Sequence, residues 1–215
     1  MNHESTRTNT KQRSICSCWF VWLRGSSPVK PVLIVCLLLG GVRAARAQGP
    51  GKCTMTLGQL PAAAELYGFR PGMLLADVKT RFPRLRLAPP DEFGVTKTSV
   101  NPAFDPALDR TKLQGVRTLA FDFLDGRLYT LSIGYDNEFK WQTLEEFLAG
   151  IDQALGLPAA WEKKSWRGQE MDCADFQLTA RLIADSPSLV IVDKAARSTL
   201  NQRIAAKAEQ EPPQH

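Results

Sequence analysis

The clearest alternation of hydrophobic and polar positions in the chain runs from Val116 to Tyr135, VRTLAFDFLDGRLYTLSIGY. Leu119, Phe121 and Phe123 alternate with other residues before an Asp125-Gly126 pair, and Tyr129, Leu131 and Ile133 do so after it. Such a pair between two alternating runs predicts a β-hairpin, because both residues tolerate the left-handed backbone of a tight turn. A two-residue loop would place Phe121 opposite Thr130 and send the two apolar sets to opposite faces. A three-residue loop, Leu124-Asp125-Gly126, with Gly126 in a bulge, instead pairs Phe121 with Tyr129 and Leu119 with Leu131. That register is the expected one. It puts all six large residues on one face and leaves Thr118, Asp122, Thr130 and Ser132 on a wet one.

Helical spacing brackets the hairpin. Gly72 to Phe82 places Leu75, Val78 and Phe82 on one stripe and stops at Pro83, which predicts a short amphipathic helix. Thr143 with Glu146 three residues later forms a capping box ahead of Leu144, Phe147, Leu148, Ile151 and Leu155, with Gly156 as the left-handed stop. This second helix is expected to lie across the covered face of the hairpin. Cys173 to Ala184 alternates again, an Asp185-Ser186-Pro187-Ser188 turn follows, and Leu189 to Val192 reads as a central strand. Arg197 to Ala206 predicts a last helix, with the residues from 208 onward a disordered tail. Between the first helix and the hairpin, residues 84–115 are dense in turn signals, with Asp105-Pro106 able to start a short helix and Val95 to Val100 an edge strand. A connection of that length on a compact scaffold is the expected functional loop. The fold class that results is α+β: an antiparallel sheet of four to five strands covered on one face by helices, with the order helix then hairpin visible twice.

Gly72-Met73, Asp77-Val78 and Pro83 around the first helix, together with that element order, are similar to the small outer-membrane lipoproteins of the β-barrel assembly machinery. The tandem helix-and-sheet arrangement also resembles the fold of the β-lactamase inhibitor protein. The chain departs from the lipoproteins in lacking a lipid-accepting cysteine at the mature start, and in carrying Leu74 where a polar helix cap is usual. The resemblance implies binding of another protein through the sheet face and loops, without catalysis.

Charge changes this picture less than it first promises. The chain of 215 residues carries a formal +5, a balance that could mean nucleic acid. Residues 31–42, PVLIVCLLLGGV, however, form an apolar run preceded by Lys30 and followed by Ala45-Arg46-Ala47. That is the pattern of a signal peptide spanning residues 1–47. Twelve apolar residues fall short of the roughly 20 that span a bilayer, so cleavage is expected and membrane contact is limited to the uncleaved leader. The leader holds 7 of the 27 basic and 1 of the 22 acidic residues, leaving 20 basic and 21 acidic in residues 48–215. The mature part, with its single domain over residues 48–207, is near neutral, and no nucleic-acid partner is expected. Export places the protein in a periplasm or outside the cell. Only Cys53 and Cys173 of the five cysteines survive cleavage, and an even pair in an exported domain predicts one disulfide.

Candidate chemistry is defined by what is missing. The two histidines are His3 and His215, so no imidazole stands within the expected fold to serve as a base or a metal ligand. No glycine-rich phosphate loop and no metal-loop motif is present, and no cofactor is expected. Asp122, Asp125, Asp136 and Glu138 gather near the hairpin ends and would be the groups of an unrecognised carboxylate hydrolase. Solvated carboxylates are the rule at such positions, and the chain is read as a non-enzyme. The expected role is a binding or scaffold module of the cell envelope that acts on another envelope protein. Trp161, Trp166, Lys163, Lys164 and Arg167 around the second helix, with Arg84, Arg86, Phe93 and Phe104 from the long loop, are the candidate binding surface. The same basic and aromatic residues would alternatively suit an anionic lipid or cell-wall polymer.

Overall fold

The computed structural model describes residues 52–210 other than 107, 139, 166 and 167. The leader, the last five residues, Trp166 and Arg167 lie outside the described residues. Seven strands, β1 (Val95–Val100), β2 (Val116–Leu124), β3 (Arg127–Tyr135), β4 (Glu162–Ser165), β5 (Gly168–Asp172), β6 (Phe176–Ile183) and β7 (Ser186–Asp193), form one antiparallel sheet. Three helices accompany it, α1 (Leu75–Arg81), α2 (Leu144–Leu155) and α3 (Lys194–Gln210). The strand order β1-β2-β3-β7-β6-β5-β4 joins two meanders through the pairing of β3 with β7. The α+β class is as expected, but the sheet has seven strands and not four to five. The strands missing from the sequence reading are β4 and β5. Every residue of β4 is exposed, so it buries no apolar face and leaves no alternation to detect.

The central hairpin keeps its faces by a different device from the one expected. Asp125 and Gly126 have φ of 50° and 76° and form a two-residue loop, with Leu124 opposite Arg127. The register is then corrected inside the strand. Asp122 pairs with Thr130 but Phe123 pairs with Leu128, so Tyr129 is a bulged extra residue. Phe121 thus faces Leu131 directly, not Tyr129, and Leu119 faces Ile133. Tyr129 leaves the covered face and joins Val95, Leu124 and Val192 in a second apolar cluster on the other side of the sheet.

That second cluster overturns the expectation of one wet face. Ala196 and Leu200 of α3 pack against it, so helices lie on both faces. The helix is fastened by charge at its far end. Arg203 holds the Asp125 carboxylate with both terminal nitrogens, at 3.0 and 2.6 Å, and donates to the Phe93 carbonyl at 2.7 Å. Lys207 pairs with Glu92. Regular structure runs four residues past the expected end at Ala206, to Gln210.

The main core lies between the opposite face and α1, α2 and the chain leading into them. Thr143 caps α2 as expected, its hydroxyl accepting from the Glu146 N–H at 3.1 Å, while the Glu146 carboxylate reaches back to the Gln142 N–H at 2.8 Å. Phe147, Ile151 and Leu155 are fully buried on its inner stripe. Tyr135, Trp141 and Phe147 meet edge to face with ring centroids 5.0 to 5.5 Å apart, a preferred aromatic geometry. Trp141 lies so close to α2 that a methyl group at Gly150 would stand 2.3 Å from its indole nitrogen.

The predicted turn at 185–188 is displaced. The loop is Ala184-Asp185, and Ser186, Pro187 and Ser188 already belong to β7. Proline is admissible there because Pro187 pairs with Leu182 next to the closing Ile183–Ser186 pair, so its nitrogen points toward β3, and the β3 ladder ends at Ser188. Cys53 and Cys173 are bonded, with Cα atoms 4.5 Å apart across a separation of 120 residues. No helix among the described residues is long and apolar enough to cross a membrane.

Candidate functional site

Phe82 ends α1 pointing into the core, and Pro83 turns the chain out along the free side of β1. From there the backbone runs back to Asp91, whose N–H donates to the Val95 carbonyl at 2.9 Å and whose carboxylate accepts from the Val95 N–H at 2.8 Å. Thr98 ties the same stretch at its middle, its hydroxyl donating to the Arg86 carbonyl at 2.9 Å. After β1, Asn101 starts a turn by accepting from the Ala103 N–H at 3.0 Å. The chain then swings outward through Phe104 and Leu108.

These two excursions enclose a cleft of about 750 Å³ at the sheet edge. Phe82, Leu85, Val100 and Leu108 supply apolar lining, and Phe104, 84% exposed, stands at its rim. The volume falls within the usual range for ligand sites. Arg84 and Arg86 line the wall two residues apart, both exposed, and among the described residues neither side chain has an ion pair or hydrogen bond. Among the described residues no helix follows Asp105-Pro106; separate turns start at Asn101 and Asp105 on this side of the cleft.

The structure divides the expected binding surface into three places. Arg84, Arg86 and Phe104 share the cleft. Phe93 is half-buried under α3, with the Lys207 ammonium 5.6 Å from its ring centre. Trp161, Lys163 and Lys164 stand at the opposite edge of the sheet, on or beside β4. There Lys164 is neutralised by Glu162 at 3.2 Å and Glu170 at 3.9 Å. The Trp161 indole N–H donates to Asp152 at 2.7 Å. The cleft residues are the three that lie together, and the turn-rich composition of the long loop was the signal that located them. What the sequence could not give is that Leu85, Val100 and Leu108 would form one wall.

Of the carboxylates considered for hydrolysis, Asp122 and Asp136 are not brought together. Asp122 is level with Thr130 on the ladder, while Asp136 lies six residues further along, just past the end of β3. At about 3.4 Å per residue that is roughly 20 Å, well beyond the separation of a glycosidase pair. Burial pushes the Asp122 carboxyl up against the opposing pull of Lys97, and Asp125 is held low by Arg203. Among the described residues no three His, Cys, Asp or Glu side chains are placed to hold a metal.

Asp152 offers a test of how these surfaces respond to pH. Burial raises its carboxyl to about 6, against the lowering effect of the Trp161 hydrogen bond. The folded protein therefore retains this proton between about pH 4 and 6, where the unfolded chain has released it. The contribution of Asp152 to stability is expected to fall as pH rises through that window and to level off above it. Asp152→Asn keeps an acceptor for Trp161 and removes the charge. It is expected to flatten this slope in chemical denaturation and to gain about 1 kcal/mol at pH 7, a figure kept small because the group is half open to solvent. An unchanged slope would refute the assignment.

Comparison of the chain with protein-family models, curated proteins and solved structures finds no match to any of them.

Proposed function

We propose that the protein is an exported, non-catalytic binding module of the cell envelope, and that its partner is another protein received at the β1-edge cleft. The observation that carries this reading is the combination at one sheet edge of a preformed apolar cleft, an aromatic ring left 84% exposed, and two guanidinium groups without partners among the described residues. Exposed aromatic and arginine side chains around a desolvated centre are the usual composition of energetic anchors in protein interfaces, and an exposed apolar patch framed by charge marks such surfaces. Export is supported by the apolar run before Ala45-Arg46-Ala47 and is compatible with the Cys53–Cys173 bond, since disulfides persist in oxidising compartments. The basic and aromatic patch near β4 is a weaker binding candidate, because Lys164 and Trp161 already have partners.

The test is photo-crosslinking in cells that express the full chain, with a photoreactive phenylalanine analogue at position 104 and, as control, at the exposed Lys163 on β4. One protein recovered in near-equal amount from position 104 alone, and surviving a high-salt wash, is the expected result. Recovery of only lipid or polymer, or equal recovery from both positions, would overturn the reading.

A further inference from the structure

The main chain of β1 narrows the kind of partner. The Asp125 N–H donates to the Gly94 carbonyl at 3.0 Å. In an antiparallel ladder that bond makes Val95 and Leu124 a pair without mutual hydrogen bonds, so Thr96, Thr98 and Val100 exchange bonds with β2. Lys97 and Ser99 then turn their N–H and C=O groups to the free side. The stretch from Arg86 to Asp91 lies along the first half of that side, tied at Thr98 and Val95. Beyond Thr98 the edge opens, and Ser99 lines the cleft. Among the described residues nothing pairs with its outward donor and acceptor.

A cleft occupant is therefore met by three things at once: an apolar cavity, a main-chain donor with a main-chain acceptor, and the surplus positive charge of Arg84 and Arg86. Asp105 also lines the cleft, so the two arginines leave it one net positive charge. A fatty acid supplies a tail and a carboxylate but nothing to exchange bonds with Ser99; a peptide supplies all three. The position of the carboxylate can be taken further. In an extended peptide neighbouring side chains point to opposite sides, and an internal acidic residue two positions from an apolar one shares its side but stands about 7 Å further along the strand. A terminal residue brings the two groups closest, because its side chain and its carboxylate branch from the same carbon.

Resting on the binding-module reading, we propose that the cleft takes the carboxyl-terminal segment of its partner. The last side chain, apolar, enters between Leu85 and Leu108. The terminal carboxylate meets Arg84 and Arg86, and the penultimate main chain pairs with Ser99 as a short added strand.

The experiment exposes the full-length protein to a pool of hexapeptides, randomised at the first four positions and ending in phenylalanine, leucine or valine. The fifth position is randomised as well, and half of the pool has free carboxyl ends while half is amidated. Mass spectrometry of the bound fraction is expected to show free-acid peptides enriched at least tenfold over their amides. The enrichment is expected to disappear in Arg84→Glu/Arg86→Glu, whose exposed positions leave folding intact, as a thermal melt would verify. Ser99→Pro removes the donor at a site where an edge strand tolerates proline, and is expected to weaken the selected peptides at least tenfold. Equal binding of acids and amides, no enrichment, or displacement of the peptides by dodecanoate at equal concentration would overturn the proposal. A cross-linked protein partner at position 104 that still binds after its last six residues are deleted would overturn this inference alone and leave the binding-module reading standing.

Discussion

Phe121→Ala is expected to lose about 3 to 5 kcal/mol of stability, enough to leave the domain marginal or unfolded. The ring is fully buried at the middle of β2. It lies 5.0 Å from Phe69 edge to face, 6.1 Å from Phe82 and 6.4 Å from Phe123 between ring centres. Removing it opens a cavity between the sheet, the end of α1 and the chain before it, where three rings would have to move together to close the gap. The exposed Phe104 makes the matching control: Phe104→Ala is expected to change stability by less than about 0.5 kcal/mol. Urea denaturation of both variants reads the difference directly. Comparable losses at the two positions would mean that the core is not organised around Phe121.

Cys53→Ser/Cys173→Ser, or reduction of the wild-type protein, is expected to cost about 5 kcal/mol, the loop-entropy value for a closure of this length. In a domain of this size that corresponds to a melting temperature lower by about 10 °C. The bond does not act alone. The Leu57 N–H donates to Asp175 at 2.8 Å, the Ala174 N–H to the Met55 carbonyl at 3.0 Å, and Lys194 to the Cys173 carbonyl at 2.8 Å. The segment from Cys53 to Leu57 is thus stapled to the turn between β5 and β6 even without the sulfur bridge. Oxidised and reduced samples compared by calorimetry check the figure. A shift of only a degree or two would mean that the hydrogen bonds alone hold the N-terminal segment.

Elements that bury one clean stripe were legible in the sequence. α2, with Thr143, its five apolar residues and Gly156, formed as read, β2, β3 and β6 lie where alternation placed them, and β1 is the edge strand expected within the turn-rich connection. The misreadings have physical causes that a single sequence conceals. The register of β2 and β3 depended on a bulge at Tyr129, and Asp-Gly favours a two-residue loop whatever the strands require. The last helix was legible, but its seat on the second face was not: α3 has no fully buried side chain and docks through Ala196, Leu200 and long-range ion pairs, none of which leaves a periodic trace. The candidate site was half visible. Arg84, Arg86 and Phe104 could be named from the turn-rich loop, whereas Ser99 is a site residue only through the hydrogen-bond phase of β1, which its pairing with β2 decides.

The place of β7 in the sheet bears on how the molecule comes to exist in time. A chain delivered from its N-terminus can complete β1, β2 and β3 early, since consecutive hairpins link them. The far side of β3, carrying Thr130 to Gly134, has no neighbour until residues 186–193 arrive. During that interval a strand with Leu131 and Ile133 on one face presents an unpaired edge, the arrangement most prone to association between chains. Export would lengthen the interval to the time taken for the remaining residues to cross. The last strand made is the one that closes the middle of the sheet, so a chain truncated before Ser186 lacks the strand that joins its two meanders.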